Sequence, residues 1–229
     1  LATSGSGGSI VVDTGYGIAS SSGHFYLATF NAGDAGISGH LRFQTGTTSE
    51  GDSGYFSVVS GDATSGKAGY VSMEVGDGDT GSGGDVMVTA GSTSTKSGLT
   101  GGSISLKSGF SAETSSGSIT LYTPNAGSAG VSGAIGFTTG TASFGNSGQI
   151  ALTTGIAENF GRGGDIIQQV GTGDSGNGGD IKLTAGETTA SSVAGGRVTI
   201  SGGHGSSDDS GDGGDGGAIE LFGGQSSGG

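Results

Sequence analysis

Apolar residues along this chain fall in phase. One phrase recurs fourteen times: a Gly preceded by Gly, Ser or Ala, then apolar residues two and four positions on, then a small residue and usually Gly. The first copy is GGSIVVDTG at 7–15 and the last is GGAIELFGG at 216–224. With the second residue of each phrase as position 0, the anchors are Gly8, Gly23, Gly39, Gly54, Gly69, Gly84, Gly102, Gly117, Gly133, Gly148, Gly164, Gly179, Gly196 and Gly217. Position +2 is apolar in every copy, as in Phe25, Leu41, Ile135 and Ile219. Position +4 is apolar in all but one, where Gln168 stands. Position +6 is Thr, Ser, Ala, Val or Gly. A period of two belongs to a strand, with +2, +4 and +6 on one face and the mixed, mostly polar residues at +1, +3 and +5 on the other.

Between strands lie polar connections such as TTSEGDS and TGDSGNG. Their position +9 is small throughout, for example Gly17, Ala32, Thr48 and Ser111, which predicts backbone passing close to another rung. The flanking glycines are expected to supply positive φ at the corners, where a Cβ would clash. A strand that returns every 15–16 residues cannot cover its own apolar face, so it must stack on its neighbours.

The predicted fold is therefore all-β, a parallel β-solenoid of fourteen units. Spacings from odd to even units are nearly constant at 15, whereas the reverse spacings vary. That favours two units, or about 31 residues, per coil and about seven coils, or about 34 Å of axis at about 4.8 Å per rung. One-unit and triangular three-unit coils remain compatible with the spacing. Residues 1–229 form a single array, with a first six-unit block at 1–94, a second at 95–189 and a partial third at 190–229. NAGDAGISGHLRFQTG at 31–46 and NAGSAGVSGAIGFTTG at 125–140 show the 94-residue duplication.

Composition sharpens this picture. Glycine accounts for 57 of 229 residues, yet a single Pro, Pro124, and the lack of a strict triplet exclude collagen. The chain has no Cys, hence no disulfide or thiolate metal site. No apolar run is long enough to span a membrane as a helix. The net charge of −13, with 7 Lys and Arg, argues against nucleic acid or an anionic membrane as partner. Neither end carries a capping pattern, so the array is expected to continue by covalent extension or by end-to-end self-association.

Candidate chemistry is sparse. His24 and His40 fall at outward positions, His204 falls in a loop, and none belongs to a triad or metal motif. Asp85, Asp165 and Asp180 repeat in the phrase GGD, so they mark the repeat rather than a unique acid–base pair. No catalytic or cofactor-binding residue is assigned, and the chain is read as not an enzyme. The acidic stretch at 204–217 holds Asp208, Asp209, Asp212 and Asp215, the oxygen ligands that Ca²⁺ takes, and these are the only candidate metal ligands. Loop Ser and Thr are possible carriers of O-linked glycans, and no N-glycosylation sequon is present.

The stretches SGSITLYTPNAGSAGVSGAIGFTTGTASFGNSGQIALTTG and VGTGDSGNGGDIKLTAG resemble the Gly/Ser-rich tandem-repeat extracellular proteins of diatoms and other stramenopile algae. The resemblance covers nearly the whole chain and implies an extracellular or cell-surface structural role with no site residues. The expectation is a structural repeat protein forming part of an extracellular filament, appendage or coat. The alternative is an adhesin-like or glycan-binding solenoid using His24, Tyr26, His40, Tyr55 and Tyr70.

Overall fold

The computed structural model describes residues 7–94, 99–207 and 213–226. Among them there is no helix and no strand, only bends and turns in the connections. The chain divides into two units, Leu1–Ser108 and Gly109–Gly229. No described residue of either is buried. The accessible surface is 23176 Å². A folded monomer of this mass would expose about 9,200 Å² and an extended chain about 31,000 Å².

These findings overturn the β-solenoid. With no strand or sheet among the described residues, there are no rungs, coils or facing sheets. The resemblance to algal tandem-repeat proteins falls with it, because a chain without regular secondary structure does not have a folded tandem-repeat architecture. The filament or coat role needed that sheet, and so did the solenoid alternative with an aromatic binding face. The physical reason lies in the balance of terms. Ordering a backbone costs about 1–2 kcal/mol per residue, more for glycine. Two apolar side chains per unit offset that only if they are buried, and here they stay exposed.

What the repeat does build is a closed loop. Fourteen units leave thirteen connections, and in each the start of the connection returns to the next anchor. Five necks close through backbone bonds. The N–H groups of Gly23, Gly102, Gly117, Gly196 and Gly217 donate to the carbonyls of Gly15, Gly91, Gly109, Gly186 and Gly203, at 2.8–3.0 Å. Three close through the +6 hydroxyl, with Thr29, Ser60 and Thr123 donating to the carbonyls of Gly39, Gly69 and Gly133. At the other five, Thr45, Val75, Thr139, Thr154 and Val170 lie against Gly54, Gly84, Gly148, Gly164 and Gly179, within 4 Å of where a Cβ would stand.

The neck explains the residue types at its two sides. A Cβ on Gly84 would come to 2.7 Å from Val75 Cγ1, and one on Gly179 to 2.8 Å from Val170 Cγ1. A Cβ on Gly202, which occupies +6 of its unit, would overlap the Gly217 carbonyl oxygen. That collision accounts for glycine at +6 there. The anchor glycines thus make the close approach that was expected of position +9, and positive φ is found elsewhere. Gly36, Gly51, Gly81, Gly145 and Gly176 have φ between +73° and +129°, and each lies three residues before the next anchor.

Position +9 is corrected as well. At Gly17, Thr48, Ser111 and Thr188 it makes contacts inside its own loop rather than with another rung. Thr48 Oγ1 donates to the Glu50 carbonyl at 2.7 Å. The Thr114 N–H donates to Ser111 Oγ, and the Ala190 N–H to Thr188 Oγ1. A Cβ on Gly17 would stand 2.6 Å from the Ser20 carbonyl oxygen. Short hydroxyl-bearing residues bond nearby backbone in this way and so hold turns.

Candidate functional site

The neck sets the register of the two arms that leave it. Thr45 faces Gly54; two residues further out on each arm, Phe43 faces Phe56, with ring centroids 6.3 Å apart and planes at 27°. An offset aromatic pair of this kind contributes about 0.5–1.5 kcal/mol beyond area burial. By the same register, +4 of one unit is expected opposite +2 of the next at other necks, as for Val58 and Val71, Leu121 and Ile135, and Phe137 and Ile150. At Phe43 and Phe56 the arms meet through side chains. Their backbone N–H and C=O groups, away from necks and turns, have no partner among the described residues.

Exposure follows this register. From Phe25 to Ile219 the +2 residues are 50–66% exposed. Apolar residues at the odd positions, such as Tyr26, Tyr55, Met87 and Ile167, are 76–90% exposed. The alternation seen in the sequence survives as a gradient without reaching burial. The series of half-exposed +2 residues from Phe25 to Ile219 is the feature that stands out.

The residues singled out from sequence do not converge. Tyr26, Tyr55 and Tyr70 are exposed and make no ring contact with one another, and His24 and His40 are exposed too. Asp85 and Asp180 are exposed and form no ion pair, whereas Asp165 accepts a hydrogen bond from Arg162 at 2.7 Å. Both partners of that pair are solvated, so it contributes little to stability. Asp208, Asp209 and Asp212 lie outside the described residues. Asp215 is described and exposed. Among the described residues, no group of three or more His, Asp or Glu could hold a metal ion. The acidic loop is nevertheless closed at its neck, Gly203 to Gly217.

One hollow is lined by the consecutive residues Tyr26–Asn31, and a second by Gln44–Thr48 and Gly51–Ser53. Each is lined by one stretch of chain, without converging polar groups from elsewhere. Among the described residues, no helix is long and apolar enough to cross a membrane.

No family model, no curated protein and no solved structure matches this chain.

What the sequence reading missed is the neck. Its signal was present: a small residue at +6 and a glycine at the next 0. These were assigned to a buried face and a corner, because a strand period by itself does not say what a side chain meets.

Proposed function

We propose that this chain acts by association and not by catalysis: an acidic, hydrated polypeptide, working outside the cell, that joins further copies of itself through its apolar pairs. The observation that supports this most directly is the half exposure of the +2 residues from Phe25 to Ile219. Full burial of such a side chain is worth about 1.5–3 kcal/mol, so a half-exposed one keeps about half of that to be gained on contact. Phe43 and Phe56 are the chain's own example of a +4 residue meeting a +2 residue, which makes the series self-complementary. Many weak contacts on one chain raise avidity without any single strong site. The unpaired backbone groups of the arms add hydrogen-bonding capacity to the same contacts. Exposed Ser and Thr in the loops offer attachment points for O-linked glycans, which would leave the arms uncovered.

Charge opposes association. Copies at −13 repel one another, and salt screens that repulsion, with a Debye length of about 8 Å at physiological ionic strength. Sedimentation velocity across a concentration and salt series should show mass rising with both. Replacing Phe56, Ile135 and Ile150 together by Ser should lower the association at every salt concentration. A chain that stays monomeric throughout, or a triple variant that associates as the parent does, removes the proposal.

A further inference from the structure

We propose that Asn177 is a self-modifying site, a residue that deamidates through attack by the backbone of Gly178. The chain has five Asn residues: Asn31, Asn125, Asn146, Asn159 and Asn177. Four are followed by Ala, Ser or Phe, and Asn177 alone by Gly. The reaction needs the following amide nitrogen to swing onto the Asn side-chain carbon, a motion that a Cβ on the following residue hinders and glycine permits.

The structure frees both reacting groups. Asn177 is exposed, and its side chain makes no hydrogen bond. The Gly178 N–H has no backbone partner, and nothing lies within 4 Å of where a Cβ on Gly178 would be. Gly176, just before, holds φ +73°, so the loop turns at this point while its neck stays set at Val170 and Gly179.

The chemistry balances with water as its only co-reactant. The Gly178 amide gives its proton to solvent base, and its nitrogen bonds to Asn177 Cγ. The Cγ–Nδ2 bond breaks, Nδ2 takes a proton and ammonia leaves, and a five-membered succinimide remains. Water then opens the ring at one of two carbonyls. Opening at the side-chain carbonyl gives Asp; opening at the main-chain carbonyl gives isoaspartate, with the backbone rerouted through the former side chain. Either product adds one negative charge to the loop, and isoaspartate also lengthens it by a methylene.

The duplication supplies an internal control. Loop 171–179 reads GTGDSGNGG and its counterpart at 76–84 reads GDGDTGSGG, with Ser82 where Asn177 stands. Gly81 has φ +83°, and the Val75–Gly84 neck repeats that of Val170–Gly179. Two loops of matching geometry therefore differ in whether they can react, and ageing marks only the second.

The test is to hold the full chain in mildly alkaline buffer, digest it with trypsin and fragment the peptide between Arg162 and Lys182. The NH₂-to-OH mass gain should appear at Asn177 many-fold sooner than at the other four Asn residues. It should divide between Asp and isoaspartate, accelerate with pH and vanish in Asn177→Ser. A rate at Asn177 no greater than at the other four overturns the proposal. So does a gain confined to Gln168 or Gln169, or a product that is Asp without isoaspartate.

Discussion

Val75 and Gly84 show how the repeat works at the level of single residues. The valine methyl occupies the space that a Cβ on Gly84 would need. Gly84→Ala should therefore spread the neck. The distance between spin labels at Ser72 and Asp85 should lengthen and broaden. Adding Val75→Ala should restore it, and an unchanged distribution in Gly84→Ala would mean that the neck is not a tight contact. The sequence displayed both residues plainly, one as a small +6 residue and one as an anchor. It did not show that they meet, because contact between residues nine apart depends on how the loop turns.

At the level of the element, the unit is a loop with a neck rather than a strand with a corner. Gly51 carries φ +93° inside loop 46–54, where an L residue would cost about 1–2 kcal/mol. Gly46, at the start of the same loop, has ordinary φ and open space around it. Gly51→Ala should weaken the NMR cross-peaks between the Phe43 and Phe56 rings, and Gly46→Ala should leave them. Loss in both, or in neither, would separate the ring pair from the loop's turn. The phase of the repeat and the small residue at +9 were legible beforehand, but the meeting of +4 with the next unit's +2 was not. The site of positive φ was not, since glycine is so frequent here that no single one announces its conformation. The +9 hydroxyls were misassigned for a related reason: a small residue fits a local turn and a close rung equally well.

For the molecule as a whole, the deciding quantity is accessible surface. At 23176 Å² it lies well above the about 9,200 Å² of a folded monomer of this mass, and no described residue is buried. Heat-capacity change on unfolding scales with the surface newly exposed. Calorimetry on dilute monomer in low salt should show no cooperative endotherm, and a sharp one would contradict the open chain. The candidate cation ligands fare differently from the fold. Asp208, Asp209 and Asp212 lie outside the described residues, and Asp215 has no cluster of acidic neighbours among those described.

The sequence by itself determined the period, the duplicated blocks, the positions at which apolar residues recur and the charge that keeps copies apart. Those are properties of order along the chain and of side-chain type, and they hold in any conformation. Only the tertiary structure decided whether those apolar residues are covered. Coverage depends on whether distant units pair their backbones, and pairing must outweigh the entropy of ordering a chain that is one-quarter glycine. Within these units it does not: the hydrogen bonds go to the loop necks, and the apolar pairs remain half in water.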